Sequence, residues 1–169
     1  MTRIADCREQ DVAVLDVVLP SESVTANHAQ RYARQRTGVG TYLIAWQDGR
    51  PVGTCEVRWD GCAASEVRGA VVNCPEINGL FVWPASLRSQ GIGTAFIRTA
   101  EDRARERGMR RLGMGVRTDN IRAAALYRRL GYRPFTSYVD RYTYRDDEGV
   151  LHHMADSCTF MISSLGRTA

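Results

Sequence analysis

The segment whose residue types and spacing best suit chemistry is a turn with two glycines, residues 88–93. It lies between an apolar run that ends at Pro84 and a long amphipathic stretch, and this order predicts a strand, a turn and a helix. The first N–H groups of a helix have no partner inside it, and the helix dipole adds about half a positive charge there. Gly91 and Gly93 lack a Cβ that would keep a phosphate away, and Arg88 could add a charged hydrogen bond. The turn therefore predicts a site for a phosphate-bearing ligand.

Three phosphate-binding motifs compete for this turn. A Walker loop requires a lysine before its Ser or Thr, but all 23 basic residues of this chain are arginines. A dinucleotide fingerprint requires a third glycine three residues after the second, where this chain has Phe96. The pattern that fits is R-x-x-G-x-G, from Arg88 to Gly93.

A second motif occurs downstream in residues 120–132, NIRAAALYRRLGY. It matches the pattern N-x-x-A-x-x-L-Y-x-x-x-G-[FY] at every specified position. Together with the turn before it, this segment resembles the GNAT superfamily of acyl-CoA-dependent N-acetyltransferases. The resemblance covers about residues 76–135, and the chain departs from it in having three residues rather than two between Pro84 and Arg88. Two motifs in the right order are far more specific than either one alone.

The resemblance implies an acetyl-CoA site, with acetyl-CoA as co-substrate. In this family the strand that matches residues 80–82 diverges from its neighbour, residues 112–116 here, and the pantetheine arm pairs with the exposed backbone. A backbone N–H near Val82 would polarise the thioester carbonyl, a role worth roughly 3–4 kcal/mol in other acyl-transfer enzymes. Asn120 could hydrogen-bond the pantetheine arm, cap the following helix, or do both. The residues expected to bind acetyl-CoA are Leu80, Phe81, Val82, Arg88, Ser89, Gln90, Gly91, Ile92, Gly93, Thr94, Asn120 and Tyr127.

Tyr127 and Glu76 are the catalytic candidates. Tyr127 matches the family position that donates a proton or a hydrogen bond to the departing CoA sulfur. Full proton transfer from a phenol to a thiolate would be uphill by about 2 kcal/mol, so a hydrogen bond to the developing thiolate is expected. Glu76 opens the central strand and is the candidate base, since deprotonating an alkylammonium costs about 4 kcal/mol at neutral pH. The competing interpretations are a tyrosine that only packs and a glutamate that is only structural.

The acceptor, a primary amine of a small molecule or a peptide, is expected between the N-terminal helices (about residues 11–36) and the C-terminal strands (about residues 138–165). Candidates for lining that site are Tyr32, Trp46 and Trp59. Direct attack of the amine on the acetyl group is expected, because the chain has no G-x-S-x-G elbow.

The order of predicted elements indicates an α/β (α+β) fold. We expect a mixed, mostly antiparallel central sheet of about six or seven strands, flanked by helices on both faces. The second helix is predicted over residues 23–36, and residues 70–72 are predicted to open a strand. The last strands are predicted over residues 132–135, 138–145 and 157–165.

Alternate glycines at positions 113 and 115 leave one face of a predicted strand without side chains. Glycine inside a strand often marks a close approach of another group. The pattern therefore predicts that something packs directly against this backbone.

Composition narrows the expected partners and the expected location of the protein. The formal net charge is +4, but arginines alternate with acidic residues, which predicts a solvated helix face and no nucleic-acid partner. No apolar run approaches the ~18 residues of a membrane span, and the N-terminus has no signal-peptide pattern. We therefore expect a cytoplasmic, bacterial, single-domain protein over residues 1–169, with no metal. A homodimer is compatible with the sequence. The scattered cysteines, expected as buried free thiols, are Cys7, Cys55, Cys62, Cys74 and Cys158.

Two alternative functions stay open at this point. One is a non-catalytic acyl-CoA-binding regulatory module of the same fold, against which the retained Tyr127 and Asn120 argue. The other is a nucleic-acid-binding domain that uses its arginine-rich faces, against which the even mixing of acids and arginines argues.

Overall fold

Residues 1–21 and 23–166, which the computed structural model describes, form a seven-stranded sheet with helices on both of its faces. Residues 22 and 167–169 of the expected domain lie outside the described residues. The strands are β1 (Arg3–Asp6), β2 (Gly40–Gln47), β3 (Arg50–Arg58), β4 (Glu76–Val82), β5 (Arg111–Arg117), β6 (Arg133–Arg145) and β7 (Leu151–Ser164). The helices are α1 (Asp11–Val18), α2 (His28–Arg36), α3 (Ser65–Ala70), α4 (Ile92–Glu106) and α5 (Ile121–Arg129).

The strand order in the sheet is β1-β2-β3-β4-β5-β7-β6. Every neighbouring pair is antiparallel except β4 and β5, which are parallel and are joined through α4. The predicted mixed, mostly antiparallel sheet is therefore confirmed. No helix among the described residues is long and apolar enough to cross a membrane.

The two faces of the sheet carry separate apolar layers, because successive strand residues point to opposite sides. On β2, Leu43 belongs to the layer under α4 and α5, called here the α4 face, together with Phe96 of α4. Tyr42 belongs to the other layer, called the α2 face, together with Leu15 of α1. Helix α3 covers a further part of the α2 face, where its Val67 packs in one cluster with side chains of β6 and β7. All five cysteines are free and buried, as predicted.

Four predicted boundaries are wrong. The last strand, predicted over residues 157–165, is β7 and begins at Leu151. Helix α2 begins at His28 rather than at residue 23, because Asn27 forms a reciprocal capping box with Gln30. Residues 65–70 form helix α3, where a strand had been expected to open at 70–72. Residues 132–135 and 138–145 fall on one continuous strand, β6, which an irregularity between Pro134 and Thr136 bends without ending it.

Helix α2 is held to the sheet by the buried His28. Its Nε2 lies 2.5 Å from the carbonyl oxygen of Leu19 and its Nδ1 lies 2.6 Å from the hydroxyl of Tyr42. Because a carbonyl only accepts, Nε2 carries the proton and the Tyr42 hydroxyl donates to Nδ1. This ring fixes the start of the helix that carries Arg31 and Arg34 across the sheet.

The close approach predicted at Gly113 and Gly115 is made by the chain's own side chains. A Cβ on Gly113 would lie against the ring of Phe160 and 3.2 Å from the Cys74 sulfur, and one on Gly115 would meet the hydroxyl of Tyr138. The two glycines thus let the aromatic side chains of Tyr138 on β6 and Phe160 on β7 approach the backbone of β5 closely.

The variant Gly113→Ala should lower the free energy of unfolding by about 1–3 kcal/mol, because the added methyl must displace the fully buried Phe160. Urea unfolding measures this change. The control is Gly69→Ala in α3, where a Cβ meets nothing within 4 Å. Equal stability of the two variants would contradict this account of the Gly113 position.

Candidate active site

The candidate active site begins with a bulge in strand β4. Phe81 faces Thr54 of β3 while Asn78 faces Glu56, so β4 advances three residues where β3 advances two. The extra residue lies next to Gly79, whose φ of +61° is in the left-handed region that glycine adopts without strain. A bulge of this kind bends its strand and changes the direction of the side chains that follow.

The bulge brings Phe81 to the same face as Glu76 and Asn78, the α2 face. Without it, strict alternation would place Leu80 and Val82 there instead. These two side chains pack against the apolar layer of the α4 face. Of the three strand residues predicted to bind acetyl-CoA, Leu80 and Phe81 line the α2-face cavity, and Val82 does not. Val82 would act through its backbone.

Strands β4 and β5 diverge where the bulge begins, and this divergence was expected. They pair only at Glu76 with Gly113 and at Ile77 with Met114, although β5 continues for three more residues. The sheet therefore has a gap between the second half of β4 and the end of β5.

One backbone donor points into this gap. The N–H of Trp83 donates to the carbonyl of Val52 on β3, at 2.9 Å. Since successive N–H groups of a strand point to opposite edges, the N–H of Val82 points to the β5 side. The donor that was predicted near Val82 is thus aimed at the gap.

The predicted phosphate turn connects β4 to α4. A short 3₁₀ turn, Ala85–Leu87, takes up the extra residue between Pro84 and Arg88. Gly91 caps α4 with a φ of +88°, and Ala95 is the first residue whose N–H bonds back into the helix, to the Gly91 carbonyl at 2.9 Å. The N–H groups of Ile92, Gly93 and Thr94 therefore form the open end of α4.

The side chains of this turn differ in what they can reach. Gly91 and Gly93 border open space, since a Cβ on either would meet nothing within 4 Å. Arg88 is exposed, with its Nε 3.3 Å from the Val82 carbonyl. Gln90 is tied back to the Ser86 carbonyl at 3.0 Å. These side chains leave the helix end uncovered.

The structure restricts the predicted contact of one residue of the turn and adds a hydrogen bond at another. The Ile92 side chain is buried in the core, so the predicted contact of Ile92 with acetyl-CoA is restricted to its backbone. The Ser89 hydroxyl accepts a hydrogen bond of 2.5 Å from Arg122 of α5, which brings a second guanidinium to the turn. Arg122 stands at an unspecified position of the second motif, so the motif did not predict its contact with this turn.

A cavity of about 1070 Å³ opens on the α2 face, between α2 and strands β6 and β7. This is where the acceptor was expected. It is lined by both catalytic candidates, Glu76 and Tyr127, although Tyr127 comes from a helix on the α4 face. A second cavity of about 880 Å³ lies beside Arg98 and Arg133 and contains none of the predicted site residues.

The aromatic lining of this cavity was predicted incorrectly. Tyr32 and Trp46 pack in the apolar layer under α1 and α2, and Trp59 packs against the layer of the α4 face. The aromatic side chains that do line the cavity, besides Tyr127, are Phe81, Tyr138 and Tyr142.

Glu76 is 5% exposed at the wall of the cavity. Burial raises the pKa of its carboxyl above the ordinary value. Hydrogen bonds from the Cys62 thiol and the Asn78 amide, and the charge of Arg58 across on β3, act in the opposite direction. Burial also raises the pKa of the Cys62 thiol to about 12, so this thiol stays protonated and donates. A buried carboxyl with a raised pKa is suited to take up a proton near neutral pH.

Tyr127 reaches the cavity through the gap between β4 and β5. Burial, followed by the nearby Cys55, raises the pKa of its phenol. The hydroxyl therefore stays protonated at neutral pH and can only release a proton to a strong base. Its state suits a hydrogen-bond donor in the gap.

A row of polar side chains runs from α2 to Glu76 and was not predicted. Arg34 and Arg31 both donate to the fully buried Glu56, and Arg31 also donates to Asn78. Asn78 in turn donates to Glu76. One part of this row could have been predicted from the sequence: Asn78 lies two residues after Glu76, so both side chains lie on the same face of the strand. These five residues are called the polar row below.

The opposite wall of the cavity comes from the β6–β7 hairpin. Asp140 and Asp156 face each other directly across the two strands. Partial burial and the charge of Asp156 raise the pKa of Asp140. The Tyr142 hydroxyl donates to Asp156 at 2.9 Å. The sequence analysis expected the C-terminal strands to border the acceptor site, but it did not predict the pair formed by Asp140 and Asp156.

Asn120 caps helix α5. Its side-chain oxygen accepts a hydrogen bond of 3.1 Å from the N–H of Ala123. The capping role is confirmed, and its contact with a pantetheine arm stays a prediction.

Comparison with known proteins identifies the family of this chain. The Acetyltransferase (GNAT) family matches residues 10–132 of the chain. The chain belongs to the GNAT family. An uncharacterized N-acetyltransferase of Methanocaldococcus jannaschii is 34% identical over 93 residues, which are 54% of this chain and 38% of that protein's length.

Two solved structures share the GNAT fold of this chain. The ribosomal-protein-S18-alanine N-acetyltransferase of Escherichia coli superposes with a TM-score of 0.67 and 18% identity, over 100% of this chain and 97% of that one. The structure of yncA from Salmonella typhimurium, solved with its cofactor acetyl-CoA, superposes with a TM-score of 0.67 and 20% identity, over 100% and 96%. At these identities the likeness concerns the fold.

The variant Glu76→Gln of this GNAT protein should gain stability over the wild type as the pH rises. In the wild type the unfolded chain releases its Glu76 proton first, at the ordinary pKa, while the folded chain holds it to a higher pH. The wild type therefore loses stability between the two pKa values, by about 1.4 kcal/mol for each unit of separation. Urea unfolding from pH 4 to pH 9 measures the difference between the two proteins.

The control for loss of a carboxyl is Glu106→Gln, at an exposed position of α4. A stability difference between Glu76→Gln and wild type that stays constant with pH would contradict a raised pKa for Glu76.

Proposed function

We propose that this protein transfers an acetyl group from acetyl-CoA to a primary amine of a small molecule or peptide by direct attack. The observation that carries the proposal is that one cavity, at the gap between β4 and β5, is lined by both a buried carboxyl, Glu76, and a protonated phenol, Tyr127. Membership of an acetyltransferase family supports the class of reaction.

The residues around the gap fit acetyl-CoA. Its pyrophosphate needs backbone donors and room to approach, which the open end of α4 and the uncovered Gly91 and Gly93 offer. Arg88 and Arg122 bring positive charge to the same turn. When bound, acetyl-CoA supplies an acetyl thioester, whose carbon forms the new bond to nitrogen as its carbon–sulfur bond breaks. The Val82 N–H, which points into the gap, is suited to hydrogen-bond the acetyl oxygen as negative charge grows on it.

Glu76 acts as the base in this proposal. An amine attacks only with a free lone pair, so its nitrogen must lose a proton before or during attack. The Glu76 carboxylate takes that proton and becomes the neutral carboxyl that its buried position favours. A water between amine and carboxylate would serve the same transfer.

Tyr127 acts on the leaving side. Its hydroxyl, held at the gap on α5, donates a hydrogen bond to the sulfur as negative charge develops there. The raised pKa of this phenol keeps the proton on the tyrosine, so the hydrogen bond, rather than complete transfer, is its contribution.

Replacing Gly91 tests the phosphate turn. Saturating acetyl-CoA at about 100 times its dissociation constant should stabilise the wild type by roughly 2.7 kcal/mol and raise its melting temperature by several degrees. Gly91→Glu should lose most of this shift, because its carboxylate would lie beside the pyrophosphate. Gly91→Ala is the matched control: it shares the strain of a left-handed φ but adds only a methyl in open space. Equal shifts for both variants would show that the turn does not hold the pyrophosphate.

Replacing Tyr127 tests the reaction itself. Release of free CoA thiol is measured with acetyl-CoA and a panel of primary amines and short peptides. Tyr127→Phe should lower turnover about 10²-fold, in the range of general-acid contributions, with little change in the acetyl-CoA-induced melting shift. The control is Tyr142→Phe, which removes a hydroxyl elsewhere in the same cavity. Thermal stabilisation by acetyl-CoA without turnover of any amine would favour the regulatory module over the enzyme.

A further inference from the structure

Within the polar row, Asn78 contacts the Glu76 carboxyl, and the hydrogen bonds of the row have a fixed direction. We propose that Asn78 is a positioning residue: held in one orientation by Arg31, it donates to Oε1 of Glu76, so that Oε2 is the oxygen that takes the proton of the acceptor amine. This inference rests on the proposed function, in which Glu76 is the base. Its physical basis, however, is independent of any substrate.

The fixed end of the row is Glu56, which has no solvent exposure. Arg34 binds both of its oxygens, with Nε 2.5 Å from Oε1 and Nη2 2.9 Å from Oε2. Arg31 adds its Nη1 at 2.5 Å from Oε2. Removing a buried charge from its partners is costly, so Glu56 holds both guanidiniums in place.

The held Arg31 sets the orientation of Asn78. Its Nη1 also donates to Oδ1 of Asn78, at 3.1 Å. A guanidinium has donors only, whereas an amide side chain has one accepting and one donating end. A flipped Asn78 would place its NH₂ against the guanidinium and lose this bond. The amide nitrogen is therefore held toward Glu76.

The held amide distinguishes the two oxygens of Glu76. Nδ2 of Asn78 donates to Oε1 at 2.8 Å. A proton on Oε1 would meet the amide proton, so a neutral Glu76 carries its proton on Oε2. The same bond favours the carboxylate over the neutral carboxyl, because a donated hydrogen bond stabilises negative charge. Asn78 thus selects the oxygen and lowers the pKa of the base.

Several other groups face Glu76 and act on its titration. The Cys62 thiol and the Arg58 charge favour the carboxylate, while Asp140 disfavours it. Cys74 and Tyr138 lie close enough to be affected by Glu76, and burial raises the pKa of both, Cys74 to about 11. The raised pKa values of Cys62, Cys74 and Tyr138 keep these three side chains neutral near neutral pH, and Asp140 acts from the opposite wall of the cavity. A change in Asn78 is therefore separable from them by comparing variants at fixed pH.

The test is a direct titration of Glu76 in the free protein. Carboxyl carbons of ¹³C-labelled glutamate are followed by NMR from pH 4 to pH 9, and Glu76→Gln assigns the signal. Asn78→Ala removes the donated bond and should raise the Glu76 pKa by about one unit. Asn78→Asp keeps the size of the side chain and the bond from Arg31 but replaces a donor by a carboxylate, so it should raise the pKa as well. Either variant that folds is sufficient, and an unmoved titration in it would overturn the proposal.

Arg31 and Arg34 form a matched pair for the orienting step. Arg31→Met frees the Asn78 amide to turn and should also raise the Glu76 pKa, although Arg31 does not contact Glu76. Arg34→Met removes a contact to Glu56 alone and should leave the titration where the wild type has it. In both variants Glu56 keeps one guanidinium.

A double variant separates orientation from simple charge. If Arg31 acts through Asn78, then Asn78→Ala with Arg31→Met shifts the titration no further than Asn78→Ala alone. If the charge of Arg31 acts through space, the two shifts add, and the orienting role is wrong.

Measurements of turnover distinguish a failure of the Asn78 proposal from a failure of the proposed function, in which Glu76 is the base. When Glu76→Gln abolishes thiol release, the acidic limb of kcat/KM should move to higher pH in Asn78→Ala, because activity is lost as the pH falls through the raised pKa. Full activity of Glu76→Gln would show that Glu76 is not the base, whatever its titration. Loss of activity in Glu76→Gln with an unmoved limb in Asn78→Ala would leave the base in place and remove Asn78 from its control.

Discussion

The contact between the Arg31 guanidinium and the backbone at Gly79 is the constraint on which the site depends. A Cβ on Gly79 would lie 2.5–2.6 Å from three atoms of that guanidinium, and the residue has a left-handed φ, so only glycine satisfies both conditions. The bulge that results changes the alternation of β4 and ends its pairing with β5. One backbone position thus produces the gap, turns Phe81 toward the cavity and aims the Val82 N–H at β5.

The cost of burying charge explains why the polar row is continuous. A carboxylate without solvent, such as Glu56, is tolerated only when its oxygens are filled, and two guanidiniums fill them. Arg31 also donates a hydrogen bond to Oδ1 of Asn78, and the Nδ2 of Asn78 donates to Glu76. In the proposed function, the polar row thus connects the structural ion pairs of Glu56 to Asn78, which sets the protonation state of Glu76.

The sequence predicted the parts of the site that lie within local segments and missed those that come together across the sheet. The turn before α4, the α5 cap at Asn120 and the order of elements along the central part of the chain follow from local spacing, glycine and capping chemistry. Arg31, Asn78 and Asp140 come from α2, β4 and β6, and a single sequence has no periodicity that links positions so far apart. The wrong start of α2 and the unpredicted helix α3 have the same origin: capping at Asn27 and packing of Val67 in one cluster with side chains of β6 and β7 outweigh the local apolar pattern.

The separation of the two faces limits where the proposed reaction can occur. Tyr127 belongs to the α4 face, while Glu76, Asn78 and Phe81 belong to the α2 face. An intact sheet would keep these groups apart, since paired strands leave no passage between them. The parallel pairing of β4 and β5 stops after two residue pairs, so the phenol and the carboxyl share a cavity only at the gap. In the proposed reaction, the amine and the thioester would therefore meet within the plane of the sheet, where the backbone of β4 would provide the hydrogen-bond donor.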